Sequence, residues 1–210
     1  MARVRAYIGL GANLGDAAET LARGVRALAT LPSVRLHAVS RLYVTAPVGV
    51  EDQPAFRNAV AGLDVPAGPD AATGALAVLV ALKELERAFG RQDRERWGPR
   101  ELDLDLLVFG RARLSIERPP EGLSLDRGAA HRLLVVPHPG AAERLFVLAP
   151  LADIAARLVP PGWTETVATA AARRAKVEGE DAARPIASWD GVSARWTASR
   201  DAQDRAASRS

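Results

Sequence analysis

The sequence predicts an α+β sandwich, with helices packed on a mainly antiparallel sheet. Three observations lead there. Apolar periodicities follow one another in the order β-α-β-β-α-β, the strand-like stretches alternate polar and apolar residues, and glycine, proline or aspartate stands at the junctions. Helices on one face of such a sheet would leave the other open to a ligand.

Residues 3–10 alternate and read as a strand, followed by a turn at Gly9-Leu10-Gly11-Ala12-Asn13. Asp16 suits the N-cap of a helix that puts Leu21, Val25, Leu28 and Leu31 on one face, closed by Pro32 and Ser33. Residues 34–44 alternate as a second strand. The loop 45–54, TAPVGVEDQP, is punctuated by two prolines and a glycine. A third strand spans 55–65, a turn 66–70, and a long helix 71–89 that Gly90 stops. Residues 90–100 are charged and aperiodic, a loop. Residues 102–109 are a strongly apolar fourth strand, and 113–116 would pair with it through a turn at Gly110.

Residues 118–132 read as an inserted loop and Pro137-His138-Pro139-Gly140 as a turn. Short helical pieces follow as far as Ala156, then a terminal helix over 164–174. Past about Glu178 the chain is rich in Ala, Arg, Ser and Asp. It is expected to be mostly disordered, or to dock only through Trp189 and Trp196. The organisation is thus a domain over 1–175, carrying the insert 118–132, and a flexible C-terminal extension over 176–210.

Composition narrows the function. The 210 residues suffice for one domain with appendages, and 48% hydrophobic with 25% charged residues is ordinary for a globular protein. Without cysteine there are no disulfides, thiolate nucleophiles or cysteine-ligated zinc. The N-terminal apolar run is short and glycine-broken, unlike a signal peptide. The longest apolar stretch, 75–82, falls far below the roughly 20 residues that span a bilayer. A cytoplasmic protein without membrane partners is expected. The pI near 9.9 hides a net charge of only +3. Eight basic against six acidic residues from Arg173 onward leave the body near +1. That gives little general attraction for nucleic acid. The only lysines are Lys83 and Lys176, so phosphate contacts fall mainly to arginine.

Asp103 and Asp105 stand two apart in a strand and so share a face, while Leu102, Leu104 and Leu106 point to the core. Adjacent carboxylates repel unless a cation lies between them, and Mg²⁺ takes one or two carboxylates plus substrate phosphates. A solvated strand face carrying two acids is the bland alternative. Arg91, Arg94, Arg96 and Arg100 precede the pair, and guanidinium groups grip phosphate bidentately. A charge run partly neutralised by Asp93 and Glu95 is the alternative there, but Trp97 in such a loop needs something to cover. No GxxxxGK[ST] occurs, which excludes a P-loop. Asn58, near Phe56, can offer a donor and an acceptor to a heterocycle, or can serve structure alone. His138 between two prolines is either a phosphate contact or a turn residue.

Together the segments YIGLGANLGD, SRLYVTAPVG, EDQPAFRNAV, RWGPRELDLDLLVFG and VPHPGAAERLFVLAPLADIA occur in an order that resembles the 6-hydroxymethyl-7,8-dihydropterin pyrophosphokinase family of folate biosynthesis. The resemblance implies a ferredoxin-like fold and transfer of pyrophosphate from ATP to the pterin hydroxymethyl group, releasing AMP. It implies two Mg²⁺ ions on Asp103 and Asp105, phosphate contacts from Arg91 and Arg100, and Trp97 on a mobile loop that closes over the site. It implies a pterin pocket of Thr45, Val48, Phe56, Asn58 and Phe146, and a nucleotide site that adds Glu86, Leu106, His138 and Arg144. It also implies a monomer acting on small molecules. The chain departs from the family pattern in an arginine loop about one residue short, in Phe56 where tyrosine is common, in Ala46 for a proline and in Pro139 after His138. Two rivals share the fold. A palm-type nucleotidyltransferase would release pyrophosphate and has no use for Phe56 and Asn58. An RNA-binding module would show exposed aromatics where two aspartates stand.

Overall fold

The structure is a computed structural model and describes residues 2–47, 53–90, 99–123 and 133–198. β1 (Arg3–Ala12) leads into α1 (Ala17–Thr30), where Asp16 Oδ1 accepts the Glu19 N–H at 3.0 Å and caps the helix as expected. β2 (Arg35–Val39) and β3 (Leu42–Thr45) follow, then β4 (Phe56–Pro66) and α2 (Ala71–Ala88). Asp70 caps α2 by accepting the Thr73 N–H at 2.8 Å. β5 (Asp103–Phe109) completes the β-α-β-β-α-β core.

β1 lies between β5 and β4, and the far edge of β4 is shared by β2 and β3; every pairing is antiparallel. This is the ferredoxin-like α+β sandwich. Leu21, Val25 and Leu28 of α1 and Leu82 of α2 are fully buried against Ile8, Ala61, Leu63 and Leu104. Each such aliphatic side chain contributes about 1.5–3 kcal/mol on burial. The spacing that predicted α1 therefore also names its buried face.

Several expectations change. The strand does not stop at Leu10. β1 runs on to Ala12, because Gly11 pairs with both Asn58 and Asp103. The predicted single strand over 34–44 is broken at Ser40, whose N–H donates to Val60 O and whose Oγ accepts the Val60 N–H, both at 2.9 Å. A side chain thus replaces a ladder rung, and the chain bends between β2 and β3. Residues 113–116 do not pair with β5. Gly110, at φ +53°, turns the chain away, and β6 (Leu114–Glu117) pairs with β7 (Leu133–Val136) in a separate two-stranded sheet. Residues 118–132 are described only as far as Leu123, with a 3-10 turn at Pro120–Gly122.

The second sheet face is not left open. α3 (Leu145–Ala155) and α4 (Val167–Glu178) pack Leu148, Leu151, Val167 and Ala170 on Tyr7, Val60, Leu107 and Val108. Only the end of this face beyond these residues is left for a site. The expected flexible extension is ordered over its described part. β8 (Ala183–Asp190) pairs with β3, and β9 (Arg195–Ala198) pairs with β8. Trp189 and Trp196 meet edge to face at 4.8 Å, and Trp196 Nε1 donates to Ser40 O at 2.9 Å. The two tryptophans do dock, but they bring two strands with them. β3 would otherwise present an unpaired edge.

Candidate active site

β5, β1, β4 and β3 bring the central candidates onto one floor. Gly11 pairs with Asp103 on one side and Asn58 on the other, and Gly9 pairs with Asp105. The two glycines make β1 a bare backbone strip between the carboxylates and the amide. A Cβ at Gly11 would lie 3.3 Å from Asn58 Oδ1 and 3.9 Å from Asp103 Cβ. The absent side chain thus gives the floor its width. Asp103 and Asp105 are half-buried on this face, while Leu102 and Leu104 are fully buried behind it.

Asn58 Nδ2 donates to Thr45 Oγ1 at 2.8 Å, and both residues are buried. Phe56 is half-buried on the same face of β4 as Asn58 and pairs with Thr45. Phe146 lies in the first turn of α3, with the Arg144 guanidinium 5.8 Å from its ring centre. The main-chain N–H of His138 donates to Leu107 O at 2.9 Å, and its Nδ1 accepts the Gly140 N–H at 3.2 Å. In the neutral ring that arrangement leaves the proton on Nε2. Val48, Arg91 and Trp97, with Arg94 and Arg96, lie outside the described residues.

Arg100 forms an ion pair with Asp103. Its backbone is held by a residue that sequence reasoning missed. Asn13, 3% exposed, accepts the Arg100 N–H on Oδ1 at 2.7 Å and donates its own N–H to Arg100 O at 3.1 Å. The Asn13 Nδ2 reaches Gln53 Oε1 at 3.0 Å and Pro54 O at 3.1 Å. The stems of the 45–54 and 90–100 loops therefore meet at one side chain. An asparagine after a glycine-rich strand end signals only a turn, so its sequence context hid this role.

Arg118, assigned from sequence to an insert, is the second missed residue. Its Nε donates to Leu133 O at 3.0 Å. Burial pushes its guanidinium below the usual pKa, against the pull of the Asp105 and Glu86 carboxylates. Two of the residues expected at the nucleotide are buried. Glu86 does not face an open cleft: it is 2% exposed, and its Oε1 bonds Lys83 and the Leu104 N–H. Leu106, 3% exposed, packs in the core behind the aspartates, so only its main chain can meet an adenine.

Among the described residues no third carboxylate or histidine joins the aspartates in a ready-made metal cluster. Two carboxylates beside side-chain-free backbone suit a hard cation that completes its shell with phosphate and water, the habit of Mg²⁺. No helix among the described residues is long and apolar enough to cross a membrane.

Residues 7–156 match the family model for 7,8-dihydro-6-hydroxymethylpterin-pyrophosphokinase. The chain is 42% identical over 169 residues to the 2-amino-4-hydroxy-6-hydroxymethyldihydropteridine pyrophosphokinase of Methylorubrum extorquens, covering 80% of this chain and 92% of that one. It is 41% identical over 157 residues to the Pseudomonas aeruginosa protein of the same name, covering 75% and 84%. A crystal structure of Plasmodium falciparum HPPK-DHPS with pteroate shares the fold, with a TM-score of 0.67 at 14% identity. That match covers 94% of this chain but only 48% of the other.

Proposed function

The chain belongs to the 7,8-dihydro-6-hydroxymethylpterin-pyrophosphokinase family, and from that membership we propose how its own residues divide the reaction. It is an enzyme of folate biosynthesis that transfers pyrophosphate from ATP to the hydroxymethyl group of 6-hydroxymethyl-7,8-dihydropterin and releases AMP. The observation that carries the residue assignment is the shared floor, with Asp103 and Asp105 on one side of Gly11 and the Asn58–Thr45 pair on the other.

Asp103 and Asp105 hold two Mg²⁺ ions, which when bound supply charge neutralisation of the triphosphate. Arg100, paired with Asp103, and Arg91 bind the phosphates. Their fixed positive charge stabilises the negative charge that grows on the transferred and leaving groups. Arg118 adds a cation on the Asp105 side. Thr45, Val48, Phe56, Asn58 and Phe146 bind the pterin: the phenyl rings stack on the heterocycle and the Asn58 amide reads its polar edge. His138, Arg144 and the Leu106 main chain take the nucleotide. Trp97 covers the closed site and excludes water, which suppresses ATP hydrolysis. Phosphoryl transfer depends chiefly on such positioning, so no strong general base is required. The protein acts as a monomer in the cytoplasm, without nucleic-acid or membrane partners; sedimentation at micromolar concentration checks the monomer.

The assay supplies ATP, Mg²⁺ and the pterin and identifies the nucleotide product. AMP is expected only when all three are present, and ADP would reject the assignment. Asp103→Ala and Asp105→Ala should each lower kcat by roughly 10³-fold while keeping the wild-type circular dichroism. Near-normal turnover in both would remove the metal role.

A further inference from the structure

Among the described residues β5 is the terminal strand of its sheet, with β1 on one side and no strand opposite; beyond Leu104 its outer edge is met by the His138 N–H, which donates to Leu107 O at 2.9 Å. In an antiparallel pair every second residue turns both its peptide groups away from its neighbour. Leu104 is such a residue, and it stands between the two aspartates. Its side chain is fully buried under α1 and α2, so water is a poor partner for its outward N–H and C=O.

Both groups are matched by side chains of α2. Glu86 Oε1 accepts the Leu104 N–H at 2.7 Å, and Lys83 Nζ donates to Leu104 O at 3.1 Å. Lys83 and Glu86 stand one turn apart and bridge each other at 2.8 Å, at 5% and 2% exposure. A buried ion pair is not in itself a source of stability, and apolar residues could fill the same volume. They would, however, leave the donor and the acceptor of Leu104 orphaned. A carboxylate for the N–H and an ammonium for the C=O meet the polarity of one strand residue, as a neighbouring strand would.

We propose that Lys83 and Glu86 are positioning residues that replace the missing neighbour of β5, fix the peptide planes on either side of Leu104 and so aim Asp103 and Asp105 at the cation. Both side chains are buried on the α2 side of β5. It acts through the backbone that carries the two carboxylates, and α2, locked into the core, is the rigid support. The inference rests on the reading that Asp103 and Asp105 bind the cation.

Two variants test it. Lys83→Met keeps chain length but removes the donor, and Glu86→Gln keeps an acceptor but removes the charge that holds Lys83. Each should raise the Mg²⁺ concentration for half-maximal rate by roughly 10-fold, in the range for residues that orient metal ligands. The pterin KM should stay within about two-fold of wild type, because Thr45 and Asn58 lie across the sheet. The Leu104 amide, read by hydrogen exchange, should exchange faster in both variants than in wild type. A lower melting temperature with unchanged Mg²⁺ dependence would reduce the pair to packing and overturn the inference, as would equal weakening toward Mg²⁺ and pterin. If neither variant folds, the wild-type protein decides. Slow exchange at Leu104, like that of amides paired between β1 and β4, supports the clamp, and exchange at an unprotected rate overturns it. Asp103→Asn is the control for the premise. If it leaves the Mg²⁺ dependence unchanged, the cation reading fails; if it alters that dependence while both α2 variants are silent, only the clamp fails.

Discussion

At the scale of single residues, the site depends as much on a missing side chain as on those present. Gly11 separates Asp103 from Asn58, and Asn58 is already held by Thr45. A methyl group at Gly11 must therefore push on an amide that has little room to yield. Gly11→Ala should raise the pterin KM by roughly ten-fold, equivalent to about 1.4 kcal/mol of binding, while the melting temperature shifts little. Steady-state kinetics beside a thermal melt would show this, and an unchanged KM would mean that Asn58 is freer than its bond to Thr45 suggests.

Tyr43 is a residue-scale test away from the site. Its hydroxyl meets both carboxylate oxygens of Asp153 at 3.0 Å, while Arg41 Nη2 reaches Asp153 at 2.6 Å. Burial, then the Asp153 charge, hold its phenol well above the usual pKa. A group whose folded pKa is raised contributes stability fully below its unfolded value, here about 10, and loses it as pH rises toward the folded one. Unfolding free energy should thus fall above about pH 10 in wild type, and Tyr43→Phe should flatten that fall. Parallel denaturant titrations from pH 8 to 11 measure the difference.

At the scale of elements, the C-terminal hairpin is the clearest case of structure overriding composition. β8 pairs Ala183 with Thr45, so the strand carrying a proposed pterin contact is flanked on both sides. Trp196 links β9 to Ser40, at the bend between β2 and β3. Trp196→Ala should cost about 3 kcal/mol in a denaturant melt. Ending the chain after Ala175 should lower both stability and pterin affinity; a truncated enzyme with wild-type KM and melting temperature would return the hairpin to the rank of appendage. The broken strand over 34–44 belongs here too. Ser40 looked like any polar residue in an alternating run, and its hydroxyl became a ladder partner only because Val60 was brought opposite.

At the scale of the whole molecule, one sheet runs from the aspartate strand at one edge to β9 at the other, through β1, β4, β3 and β8. α1 and α2 cover one face, and α3 and α4 cover part of the second. Body and extension therefore share a hydrogen-bonded framework. Unfolding should be a single calorimetric transition, with van't Hoff and calorimetric enthalpies agreeing. Two separated transitions would show the hairpin melting on its own.

From the sequence alone came the β-α-β-β-α-β order, the Asp16 cap, the buried face of α1 and the placing of Asp103 and Asp105 on one strand face. These are local properties, set by a period of two or 3.6 residues and by side chains that bond within their own turn. It determined the pyrophosphokinase family as well, because five ordered segments seldom coincide. Only the tertiary structure decided that Gly11 is floor rather than turn, that Asn13 ties two loop stems together, that Arg118 reaches Leu133 O and that Glu86 turns onto Leu104. It alone brought residues 183–198 into the sheet. Each of these depends on partners 15 to 156 residues away, and neither periodicity nor composition encodes which edge of a strand will be left needing a neighbour.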